Sequence, residues 1–474
     1  MRLFPAVVVL LLGPLGGLHA SEPEKAVQRP NILLILADDL GYADIGPHGC
    51  KDVPTPQIDR LAAQGVRFTD AYANGAFCTP TRAALMSGKY QQRVGCEDNS
   101  RPLPPAVVTL PQRLKAAGYV TGMVGKWHLG QTAGLTPLDR GFDQFFGFLG
   151  GGHIYLPSDK VQGDYAAPIF RNREPVQETR YLTDAFGDEA AAFVKAQQGS
   201  DRPFFLYLAF NAVHAPLQAT PKYLAHFDKI EPGPRRKYAA MLSAMDQAIG
   251  QVLKQLEESG ALDNTLVIFT DDNGGPTTRS AVNGSRNFPL RGSKGETFEG
   301  GIRVPLLIAW HGRLAPDTVY RQPVITMDLT ATLLAAAGAD REDIEGVDLA
   351  PYVEGNQSGT PHEALYWRSR TTSNNYAARK ADWMFVHSTE GADKPGPGQT
   401  PGRDTLFNLA EDIGEKNDLA ATNPEKLAEL RGLYEAWSAA VDADCRKLGI
   451  KPLFPKATVQ DGPKQAKSPL SSAP

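Results

Sequence analysis

Four apolar runs, far apart along the chain, set its pattern. They are Asn31-Ile-Leu-Leu-Ile-Leu-Ala37, Tyr119-Val-Thr-Gly-Met-Val124, Phe204-Phe-Leu-Tyr-Leu-Ala-Phe210 and Thr265-Leu-Val-Ile-Phe-Thr270. Their hydrophobic positions are nearly continuous, whereas a strand with one wet face alternates polar and apolar residues. Such runs suit strands covered on both faces, as in a parallel sheet between helix layers. Helical spacing appears between them. Residues 111–117 stop at Gly118, and 240–259 set Met241, Met245, Ile249, Val252 and Leu256 on one stripe before Gly260. A further run at 304–310 and a helix over 329–337, ended by Gly338, read as the close of the same layer.

Beyond about residue 345 the texture changes. Short segments at 364–368, 383–387 and 405–409 read as a small antiparallel sheet. Asn423-Pro424 supplies the cap and first position of a long amphipathic helix to about residue 448. The predicted class is therefore α/β. A large, mostly parallel sheet covered by helices occupies 28–345, and a smaller C-terminal antiparallel-sheet-plus-helix subdomain occupies 346–450. The tail at 451–474, rich in Pro, Lys, Ser and Ala, is predicted to be disordered.

Composition narrows the class. Arg2, an apolar stretch from Leu3 to Leu18, and Leu18-His19-Ala20 before Ser21 have the make-up of an export leader over 1–20. Pro14, Gly16 and Gly17 interrupt the stretch, so it makes a poor permanent membrane helix, and no other segment could span a bilayer. A net charge of −4 over 474 residues gives no broad basic surface for nucleic acid. Four cysteines, Cys50, Cys78, Cys96 and Cys445, are too few for a disulfide framework. One bridge, such as Cys50–Cys96, is compatible with an exported protein.

The candidate chemistry lies where the strands end. The first run leads into Asp38-Asp39, the second into Lys126-Trp127-His128, the third into Asn211 and His214, and the fourth into Asp271-Asp272-Asn273-Gly274. Open α/β sheets bind ligands at the carboxyl ends of their strands, so parallel neighbours would bring all four clusters to one edge. Asp38, Asp39, Asp272 and Asn273 offer hard oxygen ligands suited to Ca²⁺ or Mg²⁺ rather than zinc. Lys126, His128, His214 and Lys294 add positive charge or donors. A divalent cation among them points to an anionic substrate, a phosphate or a sulfate. Taken singly, an Asp pair after a strand caps helices, and a lone His, Lys or Cys is ordinary structure. Their matching positions at strand ends carry the argument. His153, after three glycines, has two readings, a pocket-lining residue and, preferred, a plain loop residue.

Cys78 belongs to the same picture. Pro80 is favourable at a first helical position, and the helix continues from Arg82 until Gly88, setting Cys78 just before a helix N-terminus that attracts anions. Arg82, one turn on, is placed to reach back to it. The run lacks metal-ligand spacing and lacks the Cys-x5-Arg phosphatase pattern, because position 84 is Ala.

Together these residues resemble a type I, formylglycine-dependent sulfatase of the alkaline phosphatase-like superfamily. The similar segments are Asn31-Ile-Leu through Asp38-Asp39, Cys78-Thr-Pro-Thr-Arg82, Gly125-Lys-Trp-His-Leu-Gly130, Arg140-Gly-Phe-Asp143, His214-Ala-Pro216, Asp272-Asn-Gly274, Gly292-Ser-Lys-Gly with Glu299-Gly-Gly-Ile-Arg303, and Leu406-Phe-Asn-Leu with Glu415 and Asp418-Leu419. The resemblance implies a sulfuric ester hydrolase acting on a sulfated small molecule or glycan. It implies one Ca²⁺ held by Asp38, Asp39, Asp272, Asn273 and position 78. Cys78 would be converted to formylglycine by a sulfatase-maturing enzyme. Arg82 would position that group, and Lys126, His128, His214 and Lys294 would bind sulfate and handle protons. One hydroxyl of the hydrate would attack sulfur and displace the alcohol, and deprotonation of the other would expel sulfate and restore the aldehyde, which a plain Ser could not do. Thr81 stands where the family has Ser, and Asp271 is an additional acid; counting back from Gly274 favours Asp272 as the ligand. The implied address is periplasmic or secreted, or lysosomal in an animal cell, where sequons at Asn283 and Asn356 would matter. A phosphoester or phosphonate hydrolase and a catalytically dead calcium-dependent glycan binder are the alternatives. Substrate choice is expected to lie in loops such as 150–164 and 283–287.

Overall fold

The computed structural model describes residues 29–158, 163–278, 282–369, 375–389 and 402–452. The expected leader and the tail beyond Pro452 lie outside them. The four apolar runs become the strands Asn31–Ala37, Val120–Lys126, Phe204–Ala209 and Thr265–Asp271. They are the middle of a ten-stranded sheet. Its order is Thr318–Tyr320, Val66–Phe68, Leu306–Trp310, Thr265–Asp271, Asn31–Ala37, Phe204–Ala209, Val120–Lys126, Gln144–Phe148, Ile169–Arg171 and Glu174–Val176. Asn31–Ala37 pairs in parallel with Thr265–Asp271 on one side and Phe204–Ala209 on the other, and Phe204–Ala209 pairs in parallel with Val120–Lys126. The four are thus parallel neighbours, as their near-continuous apolar character requires. The run at 304–310 forms Leu306–Trp310, which is antiparallel to Thr265–Asp271.

Alternate residues of the first strand feed two cores. Leu33 and Ile35 pack under the helices Leu182–Ala196 and Pro234–Glu258. Ile32 and Leu34 pack under the helices Cys78–Ser87, Leu110–Ala116 and Met327–Ala336. The long helix starts six residues before the predicted 240, because Pro234 opens it with a polar turn that carries no apolar stripe. Cys50 packs against the first core and Cys96 lies in the second, and all four cysteines are free, so the suggested Cys50–Cys96 bridge is not formed.

The C-terminal part is a four-stranded antiparallel sheet in the order Leu365–Ser369, Asn375–Lys380, Trp383–Ser388 and Arg403–Asn408, backed by the helix Pro424–Lys447. The strand Asn375–Lys380 was not predicted; Ala377-Ala378-Arg379-Lys380 shows neither alternation nor an apolar run. Buried ion pairs fasten this sheet to the large one. Arg379 meets Asp70 at 2.8 Å, Arg303 bridges Asp70 and Glu299 at 2.9 and 2.8 Å, and Tyr72 donates to Glu299. Arg368 reaches both Glu97 and Asp442 of the last helix.

A smaller joint has a defined pH response. His362, just before the strand Leu365–Ser369, places Nε2 at 2.8 and 2.9 Å from the two oxygens of Asp328, which is wholly buried. Burial disfavours the imidazolium, but Asp328 outweighs it and holds the His362 pKa above its ordinary value. A raised folded-state pKa gives stability that is complete below about pH 6.5 and is lost as pH rises through the higher value. His362→Gln is expected to cost about 1–2 kcal/mol at pH 5.5 and much less at pH 9, read from urea midpoints.

Candidate active site

The carboxyl ends of the four parallel strands bring the predicted groups together. One ligand atom each from Asp38, Asp39, Cys78 and Asp272 fall within 4.8 Å of one another, and all four residues are buried. Asp38 and Asp39 follow the first strand directly, and Asp272 and Asn273 follow the fourth. Cys78 is itself the first residue of the helix Cys78–Ser87, which starts two residues before the predicted first position, Pro80. Its sulfur lies 3.6 Å from Asp38 Oδ1 and 3.3 Å from Lys294 Nζ.

Backbone geometry aims the groups. Asp39 and His128 both have positive φ, 64° and 58°, rare for residues with a β-carbon and found at sites where a side chain must leave the strand direction. Gly125 has φ of 114°, and a β-carbon there would fall 1.8 Å from the Ala209 carbonyl oxygen. Only glycine lets the second strand press against the third at this point, one residue before Lys126.

Cations interleave with the acids. Lys126 Nζ is 2.6 Å from Asp38 Oδ2, and Lys294 Nζ is 2.5 Å from Asp39 Oδ1. The Arg82 guanidinium meets Asp272 Oδ2 through Nε and Nη2 at 2.9 and 2.7 Å and donates to the Lys126 carbonyl. His214 Nε2 stands 3.6 Å from Asp39 Oδ2. The charges shape one another. Burial opposes ionisation of Asp38, yet Lys126, His214, Arg82 and Lys294 prevail and hold its carboxyl well below the usual range. Burial and the Asp38 charge push Asp272 up despite Arg82. Burial, with Lys126 and Arg82 adding to it, drives His128 well below its ordinary value and keeps the ring neutral. Burial, and Asp272 beside it, push the Cys78 thiol up to about 12 against Lys126 and Lys294. The encoded sulfur is therefore a protonated thiol at neutral pH and a poor nucleophile.

Every predicted site residue lies in this one cluster or at its edge. The additional acid, Asp271, turns away and accepts the Leu40 amide at 2.9 Å. Thr81 uses its hydroxyl as a Ser would, accepting from Gly75 N–H and donating to the Gly75 carbonyl at 3.1 and 3.0 Å. Asn283 is wholly buried, and its amide donates to the carbonyls of Asp39 and Val213, so it braces the acid pair and that sequon is closed to modification.

Two contributors, Asn99 and Tyr165, were not foreseen, and His153 is the loop residue expected. Asn99 caps the Cys78 helix from outside by accepting the Thr79 N–H at 3.1 Å. His153 pins a loop, with its ring nitrogens facing the carbonyls of Ile154 and Ala167. Tyr165, in that loop, lies with its ring centroid 6.4 Å from that of His214. The sole sequence signal for the last two was the glycine run at 150–152, which permits close approach of rings.

Comparison with known proteins agrees with this geometry. Residues 30–339 match the protein-family model described as Sulfatase. The N-acetylgalactosamine-6-sulfatase of Canis lupus familiaris is 34% identical over an alignment covering 89% of this chain and 87% of its own. Arylsulfatase A of Bos taurus is 35% identical, with 92% of each chain covered. Among solved structures, Ps i-CgsB in complex with k-i-k-neocarrahexaose superposes with a TM-score of 0.81 at 37% identity, covering 90% of this chain and 95% of that one. A sulfatase domain spanning most of the chain, carried on a mixed ten-stranded sheet with its acids and cations gathered at the strand ends, makes this protein a member of the sulfatase family of the alkaline phosphatase-like superfamily, and a sulfuric ester hydrolase.

Proposed function

We propose that the chain removes sulfate from a sulfated carbohydrate, using a formylglycine made from Cys78 and a calcium ion held by Asp38, Asp39, Asp272, Asn273 and position 78. The observation that carries this reading is the contact of the Cys78 sulfur with both an acid and an ammonium, Asp38 and Lys294, at the sheet edge. The carbohydrate part is supported by similarity to an N-acetylgalactosamine-6-sulfatase and to a structure that holds k-i-k-neocarrahexaose. Export through the apolar leader, and a partner enzyme that matures Cys78, belong to the same proposal.

The donor set suits a hard cation. Apart from position 78 it consists of oxygens. Asp272 Oδ1 and Asn273 Oδ1 are buried without a hydrogen-bond partner, which is where oxygens facing a cation belong. When bound, the ion offsets the carboxylate charge and polarises sulfuryl oxygens. Formylglycine made at Cys78 by the partner enzyme would, once hydrated, supply a carbon bearing two hydroxyls, one to attack sulfur and displace the alcohol, and one whose deprotonation would expel sulfate and restore the aldehyde.

The remaining work falls to the side chains present. Lys126 is wholly buried and Lys294 partly so, but Asp38 beside the first and Asp39 beside the second keep both ammoniums protonated. They are fixed charges that can hold sulfuryl oxygens without reorganising. His128 is neutral, and its Nδ1 is buried with no hydrogen-bond partner, so the ring is free to hydrogen-bond a group bound in the cluster. His214, partly exposed at the mouth, is suited to serve the departing alcohol.

Coexpression with a maturing enzyme, peptide mass analysis across Cys78, and rates on aryl sulfate against aryl phosphate test the reading. A dominant phosphatase rate, or no turnover from fully converted protein that still binds sulfated glycan, would sink it. Cys78→Ser is expected to reduce multiple-turnover activity by about 10³-fold or more while leaving the fold intact. Chelation should abolish activity and lower the melting temperature, and calcium should restore both. Arg82→Leu would leave Asp272 and Asp38 buried without their guanidinium. It is expected to destabilise the protein by about 3–5 kcal/mol in urea unfolding, beyond any effect on rate.

A further inference from the structure

We propose that Tyr165 is a specificity-determining residue: its exposed ring forms one wall of the mouth and takes the face of the sugar that carries the sulfate ester. This rests on the carbohydrate reading above and deepens it.

Three observations locate the ring. It lies 6.4 Å, centroid to centroid and 31° tilted, from the ring of His214. A β-carbon added to Gly152 would fall 2.7 Å from Tyr165 Cε1, while one on Gly151 would fall 2.6 Å from His128 Nε2. Tyr165 therefore faces His214 directly, and it rests on the same glycine turn against which His128 lies. Tyr165 also lies close enough to Lys126, Lys294, Asp38 and Asp39 to feel their charges. Yet it is 39% exposed, among the few large hydrophobic side chains of the described residues that face solvent so openly.

The ring is held, not loose. It sits on the short turn Asp164–Ala166. The Tyr165 carbonyl accepts the Ile154 amide at 3.0 Å, and two residues on, the Ala167 carbonyl faces His153 Nε2 at 2.8 Å. This gives His153 a purpose, since its ring ties the turn to the loop that follows the strand Gln144–Phe148. An aromatic ring fixed beside a charged pocket and open to solvent has an apolar face that water serves poorly. A pyranose presents C–H groups on one face and hydroxyls at its rim, and it can cover that ring while its sulfate reaches the lysines. A short acyclic alkyl sulfate can fill the charged pocket and leave the ring bare.

The test uses matured, calcium-loaded full-length protein, with a panel of sulfated monosaccharides and disaccharides and ethyl sulfate as the acyclic control. For the sulfated pyranoside the wild type prefers, Tyr165→Ala is expected to raise KM about ten-fold relative to any change seen with ethyl sulfate, with the larger part of the loss in KM and little in kcat. Tyr165→Phe keeps the ring and should recover most of that difference, and Tyr165→Trp should retain it too. Melting temperatures within error of wild type would place the effect in recognition. Equal losses on the pyranoside and on ethyl sulfate, or a Phe variant as impaired as Ala, would overturn the stacking role. Wild-type protein that cleaves aryl or ethyl sulfate but no sulfated pyranoside would overturn the carbohydrate reading and this proposal together. Wild-type activity on the pyranoside with no change in Tyr165→Ala would overturn this proposal alone.

Discussion

Three carboxylates cannot share a few ångströms of buried space unless positive charge is brought among them. Asp38, Asp39 and Asp272 do share it, and the surrounding architecture follows from that demand. Arg82, Lys126 and Lys294 arrive from three different elements, each paired to a different acid. None of these pairs would hold in isolation against the cost of removing ions from water. The parallel strands make the arrangement affordable, since they fix all the backbones independently of the charges. A divalent cation added to this set would leave the cluster with surplus positive charge, which is what an ester of sulfuric acid requires of its host.

The middle of the fold was legible because doubly covered strands cannot hide their composition. Asn31–Ala37 was readable to the residue, since Leu33 and Ile35 serve one core and Ile32 and Leu34 the other, and all must be apolar. The flanking strands were not. Ile169–Arg171 and Glu174–Val176 have three residues each and lie at the sheet margin, where hydrogen bonding decides the conformation and side chains are free to be polar. Asn375–Lys380 was hidden for a related reason: Arg379 is inside, paired with Asp70, so charge sits where a pattern argument looks for leucine.

The site divides the same way. Asp38, Asp39, Lys126, His128, His214, Asp272 and Asn273 follow strands or their immediate continuations, so position in the chain announced position in space. Lys294 sits in a loop and was placed through its neighbours Gly292, Ser293 and Gly295, a matter of resemblance rather than of periodicity. Asn283, Asn99 and Tyr165 act through long-range contacts made outside the strands. Their partners are 244, 20 and 49 positions away, which no local pattern encodes.

The burial of Cys78 sets an order of events. The side chain is 1% exposed, walled by Asp38, Lys294 and its own helix. A second protein has no route to that atom once the chain has folded around it. The proposed conversion must therefore finish while the 78–82 segment is still an open strand of nascent polypeptide. Folding is then a deadline: a copy that wins the race to its compact state emerges sound in every contact and permanently inert.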